Sequence, residues 1–421
     1  MAEPALAEFA PSRQTAPSRL RLFRSVPVVP PRALYLNANL ADGGPIWPDF
    51  ETRGPVRFNR QKPVDHAPRP HDGPHDLIDH PSVWCGFIQR HFGHLIADHL
   101  TRVLESLAER PDDLYLFITY PKGSRSDVPA YFWSIVDWYG LPRSQVRIIT
   151  RPAIVAELRC APQAEKLFGD GPSPRYLALL DANMRRNGLV PQPAEILYVT
   201  RAGQLAQGKG AHAGEGYLVQ VLQSLGVCVL DPARAPLTDQ LARYAGARTL
   251  VFAEGSALHG RQLLGRLPQD IVVLRRRIGQ SVAKDQLQPR CSRLTYADTA
   301  RGFACPIGAD SRVLTAEGIS FYDTAALFQT FAALGVDLAS RWSQTEFLAA
   351  QSAEAANWLA YSGRMGRLSP ASLAALSGAF QQAGLDCITS APTWRRLNWH
   401  IRSLLLRTLG KIVRKRKPWS N

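Results

Sequence analysis

Apolar residues first recur at helical spacing near Gly93, where Ile96, Leu100, Val103, Leu104 and Leu107 fall on one face. Apolar runs at 114–118 and 145–149 read as strands, with an aromatic helical stretch at 131–139 between them. This alternation predicts an α/β domain over residues 81–190. Residues 1–80, rich in Pro, Arg, His and Gly, predict an irregular arm with a few short strands.

A second, more regular alternation starts near residue 191. Apolar runs at 196–199, 227–230, 249–252 and 271–274 read as strands, and 216–225, 238–244 and 256–264 read as helices between them. Four strands joined by three short helical crossovers predict a parallel sheet, a Rossmann-like domain over 191–280. In such sheets ligands bind beyond the carboxyl ends of the strands. The loops at 200–215, 231–237 and 253–259 are therefore the ones to inspect. Residues 281–315 read as an irregular connection. Residues 316–421 read as a helical extension, with helices at 324–334, 344–361, 370–383 and 394–413.

The chain has 421 residues, 45% hydrophobic and 20% charged, which fits ordinary globular domains and excludes fibrous and low-complexity classes. No run approaches the roughly 20 apolar residues of a membrane span, and the first 31 residues lack the apolar block of a secretory signal, so a cytoplasmic location is expected. Six scattered cysteines form no CxxC pair. The net charge is +15, and nine cations with no acidic residue follow Asp386. That segregation, without a helix-turn-helix, zinc-finger or RNP signature, argues against a nucleic-acid partner. A basic helix bearing Trp394, Ile401, Leu404 and Leu405 fits peripheral contact with an anionic inner-membrane surface; a helix docked on the preceding domain is the other reading.

Three strings carry candidate chemistry. Thr200-Arg201 follows a strand and leads through Gly203, Gly208, Lys209, Gly210 and Gly214 to Glu215, where a helix opens. Glycines let backbone amides approach an anion and the cations offset its charge, though the spacing is neither a P-loop nor GxGxxG, and a solvated surface loop is the alternative. Glu254-Gly255-Ser256-Ala257-Leu258-His259 is a small-residue turn between strand and helix. It suits either a phosphate at the helix start with Glu254 on sugar hydroxyls, or close helix–sheet packing with Ser256 as a cap. In the first domain His94, Asp98 and Arg102 fall at i, i+4, i+8, either a general base with its orienting carboxylate or a surface ion pair beside a capping histidine. No His, Cys or carboxylate cluster completes a metal site, and no Asp-x-Asp pair is present to grip a metal–diphosphate.

In their order and spacing these strings resemble the glycosyltransferase 61 family, also called DUF563, of capsular-polysaccharide-type glycosyltransferases, over residues 85–275. The resemblance rests on Phe92-Gly93-His94 with Asp98 and Arg102, on Leu197-Tyr198-Val199-Thr200-Arg201, on Glu215, and on Glu254-Gly255-Ser256-Ala257-Leu258. Glu254 stands where the family usually has His, and Leu95 where it often has Trp. It implies a GT-B fold, two Rossmann-like domains facing across a cleft. It also implies inverting hexosyl or pentosyl transfer from a nucleotide-sugar to a glycan or lipid-linked glycan acceptor in bacterial surface polysaccharide synthesis, with the donor as substrate and no further cofactor. On this reading His94 with Asp98 is the base. Arg102, Arg201, Lys209, Glu215, Glu254, Gly255, Ser256 and His259 bind substrate. The rival is a non-catalytic degenerate GT-B protein that binds an anionic polymer or membrane surface.

Overall fold

A computed structural model describes residues 19–31, 43–53, 58–59, 62–63, 73–119, 128–307, 313–366, 368 and 370–385. The expected basic helix at 394–413 lies outside them. The fold is mixed α/β, and the chain divides into two compact units, one of Met1–Arg90 with Asp98–Lys166, the other of His91–Ala97 with Leu167–Asn421.

The first unit holds a seven-stranded sheet. Its main path runs Gly44–Pro45, Arg21–Val29, Ala153–Cys160, Ser82–Phe87, Leu114–Ile118, Val146–Ile149, and Asp76–Ile78 also pairs with Ala153–Cys160. Every residue of Ser82–Phe87 is buried, as befits a central strand. Trp84, Phe87, Leu116, Ile118, Val155 and Leu158 form its core. Residues 21–29, inside the stretch read as an irregular arm, run antiparallel to Ala153–Cys160.

The second unit is built on five parallel strands, β1 (Ala194–Val199), β2 (Cys228–Leu230), β3 (Ala247–Ala253), β4 (Asp270–Leu274) and β5 (Arg293–Ala297). Their spatial order is 2-1-3-4-5. That order reverses between β1 and β3, so the carboxyl ends of these two strands form the topological switch point where doubly wound sheets bind ligands. The four expected strands are all present. The fifth lies in the expected irregular connection, at the sheet edge, where no residue is fully buried and the apolar signal is correspondingly weak. The crossover after β3, Ser256–Leu263, is wound as a 3-10 helix.

Residues 316–385 are integral to this unit. Leu327 and Phe331 of the Thr324–Ala332 helix and Phe347 of the Gln344–Arg364 helix share one core with Tyr198, Val251 and Leu274 of the sheet and Leu218 of the Glu215–Ser224 helix. Trp358, Leu376 and Phe380 form a second core with Ala211, Ala213 and Phe321. Asp323 and Ser343 cap the first two of these helices through the Ala326 and Glu346 N–H groups.

Candidate functional site

The expected helix near Gly93 begins at Phe92 and changes its winding three times: α over Phe92–His94, π over Leu95–His99, 3-10 over Leu100–Arg102, then α over Val103–Glu109. A π turn takes one more residue than an α turn, so His94, Asp98 and Arg102 do not share the uniform stripe their spacing predicts. Asp98 and Arg102 are fully buried, and the Arg102 Nε donates to the Ala161 carbonyl at 2.7 Å. His94 is half-buried and belongs to the second unit. Its N–H is capped by the His91 ring, whose centroid lies 4.8 Å from its own.

The segment carrying His94 packs on the 3-10 helix that follows β3. A Cβ on Gly93 would come within 2.5 Å of the His259 ring, so glycine is what permits this contact. The Gln286 amide, itself accepting from Gln262, donates to the Ala97 carbonyl at 3.1 Å. His259 is buried beneath the segment, with its Nδ1 3.4 Å from Gln262, and has a packing position rather than an open one.

At the switch point the structure gathers three guanidinium groups. Arg201, two residues beyond β1, donates from Nε and Nη2 to the Gly210 carbonyl at 3.1 and 2.7 Å. Its Nη1 lies so close to Gly255, just past β3, that a Cβ there would stand 2.0 Å away. Arg276 and Arg277 follow β4. Arg276 is buried, donates to the Gly318 carbonyl at 2.6 Å and lies over the Phe303 ring, and its Nε has no hydrogen-bond partner among the described residues. Burial, reinforced by the charges of Arg201 and Arg277, pulls Arg276 down to about 9. Arg201 is pulled down by the same desolvation, while Glu215 and Glu254 favour its charge. The buried His212 behind them is held neutral, at about 3, by burial and by Arg276.

The two carboxylates serve this cluster from inside. Glu254 is fully buried and accepts the Arg276 and Arg277 N–H groups on Oε2 at 2.9 and 3.2 Å, and the Arg277 Nε on Oε1 at 2.6 Å. With both oxygens engaged by the chain, it is placed to hold the arginines rather than sugar hydroxyls. Glu215 accepts Tyr198 Oη, Thr200 Oγ1 and the Arg201 N–H on one oxygen, at 2.9, 2.8 and 2.7 Å. Burial pushes its carboxyl up against those three bonds. Its position, beneath the Thr200-Arg201 peptide, fixes the arginine's backbone.

Three cations are therefore held against one ion-paired carboxylate and a second whose ionisation burial opposes, in a place with an unsatisfied buried N–H. This arrangement suits a multiply charged anion. Of the residues expected from the sequence, Arg201 and Gly255 are in the cluster, and Ser256 is half-buried at the start of the adjoining 3-10 helix. Lys209 is exposed, with its backbone N–H on the Gln204 carbonyl. Arg276 and Arg277 were not singled out, although the run Arg275-Arg276-Arg277 directly after a recognised strand was the available signal. Among the described residues, no group of three or more His, Cys, Asp or Glu side chains is placed to hold a metal ion. Neither the protein-family models nor the curated proteins compared with this chain match it.

Proposed function

We propose that the protein is an inverting glycosyltransferase that moves a sugar from a nucleoside-diphosphate donor to a hydroxyl of a glycan acceptor, with arginines in place of a divalent metal on the diphosphate. The observation that carries this reading is the trio Arg201, Arg276 and Arg277 at the switch point of a parallel sheet. The GT-B arrangement and the place in surface polysaccharide synthesis come with the glycosyltransferase 61 resemblance.

In the reaction the acceptor oxygen attacks the anomeric carbon opposite the leaving group, the bond from that carbon to the diphosphate oxygen breaks, and configuration inverts. The negative charge left on the diphosphate falls to the three guanidinium groups, already fixed by Gly210, Gly318 and Glu254, so little reorganisation is needed. The acceptor proton goes to His94, whose segment packs against His259 and Gly260 of the 3-10 helix that Ser256 opens. Asp98 and Arg102, both buried, are left out of the substrate contacts.

Incubation with a panel of nucleotide-sugars, read as free nucleoside diphosphate, tests the proposal. One donor should be turned over, and Arg201→Ala or Arg276→Ala should lower kcat/KM by about 100-fold, the usual loss for one charge-stabilising donor. His94→Ala should cost at least as much, since general-base catalysis contributes about 100-fold or more. The absence of both donor turnover and thermal stabilisation by any nucleoside diphosphate would remove the reading; stabilisation without turnover of any donor would favour the non-catalytic binder.

A further inference from the structure

The Gly214 and Gly216 amides at the start of the Glu215–Ser224 helix, which the sequence offers to an anion, are taken by the chain itself. Glu354, in the middle of the Gln344–Arg364 helix, accepts the Gly214 N–H on Oε2 at 2.8 Å and the Gly216 N–H on Oε1 at 3.0 Å. Gly214 is the residue before that helix and has φ +86°, a conformation that favours glycine. The same long helix sets the Phe347 ring against Gly214 and the Tyr361 ring against Gly208. The loop from Arg201 to Glu215 is thus pinned at both ends, by the Arg201 N–H on Glu215 and by Glu354 on Gly214 and Gly216. Between the pins lies the Gly210 carbonyl that carries the Arg201 guanidinium.

We propose that Glu354 is a positioning residue of the anion site, setting through Gly214 and Gly216 the loop that orients Arg201. Its ligand rests on the function proposed above; the control of the loop does not.

The ionisable groups facing Glu354 are Glu215 at the helix start and Tyr322 on the Ile319–Tyr322 strand. Burial, with the Glu215 charge, outweighs the backbone amide bonds of Gly214, Gly216 and Glu215 and pushes the Glu354 carboxyl up to about 7. Two opposite pH trends follow. The carboxylate form grips both amides, so the loop tightens as pH rises through about 7. Folding favours the neutral form, so this group's stability contribution, full below the ordinary glutamate pKa, is lost as pH rises through about 7.

The test compares wild type with Glu354→Gln and the charge-keeping but shorter Glu354→Asp from pH 6 to 8.5. Three readouts are used: affinity for inorganic pyrophosphate, amide hydrogen exchange over 202–214, and Tm. Glutamine turns an N–H donor toward one of the two amides. It should therefore speed exchange in the loop, weaken pyrophosphate on the order of tenfold at pH 8, and flatten both pH trends relative to wild type. Aspartate should loosen the loop while keeping a titration. A folded variant with wild-type exchange and affinity at every pH overturns the proposal. If wild type fails to bind pyrophosphate while the variants still loosen the loop, the proposed function falls and the positioning role stands. If glutamine prevents folding, the aspartate variant and the wild-type pH trends decide.

Discussion

Gly255 is selected by its neighbour rather than by its own backbone. Its φ of 177° is extended and open to any residue, yet the Arg201 guanidinium fills the space a side chain would take. Because the atoms a Cβ would meet belong to the Arg201 side chain rather than to the backbone, Gly255→Ala should fold with little change in Tm while displacing Arg201. Pyrophosphate affinity measured by calorimetry should fall on the order of tenfold, and an unchanged affinity would mean that Arg201 does not touch the anion. The same scale shows what one sequence reveals. Arg201 was legible because a cation directly after a parallel strand stands at the ligand end of the sheet. Glu215 and Glu254 read from the sequence as substrate contacts, and the structure places both carboxylates on the chain's own N–H groups. Their residue type suggests ligand contact, whereas burial and the direction of their hydrogen bonds toward the chain's own N–H groups arise only when distant segments fold together.

Among the elements, strands buried on both faces were read well, since β1, β3 and β4 each contain a continuous apolar run. The edge strand β5 and the π turn at Leu95–His99 were not, because an edge mixes polar and apolar positions and a π turn keeps the apolar spacing of a helix while shifting its register. The helices after residue 316 are periodic in the sequence and read there as an extension, because periodicity shows that a face is apolar without showing what covers it. In the structure, Trp358 is fully buried and its indole N–H donates to the Glu317 carbonyl at 2.9 Å, in the core that also contains Ala211 and Ala213 of the loop leading to Glu215. Trp358→Ala should therefore cost about 3–5 kcal/mol and lower Tm on the order of 10 °C. A shift below about 2 °C in calorimetry would instead describe a layer that the parallel sheet does not need.

Over the whole molecule, cations gather in two places along the chain. Inside the second unit, three arginines are held at one point by carbonyls and a buried carboxylate. Beyond Asp386, nine cations follow with no acidic residue among them, interleaved with Trp394, Ile401, Leu404 and Leu405 in residues outside the described structure. Among the described residues no helix is long and apolar enough to cross a membrane. Near an anionic bilayer each Lys or Arg contributes about 1 kcal/mol, and the attraction fades beyond a Debye length of about 8 Å at physiological salt. The full chain should float with vesicles rich in anionic phospholipid, release as salt is raised, and ignore zwitterionic vesicles, while a chain ending at residue 393 should stay with the soluble fraction. The truncated chain should keep its pyrophosphate affinity, because the arginine site is held by residues 201–354. Equal partitioning of the two chains would remove the membrane role and leave acceptor capture to the folded units.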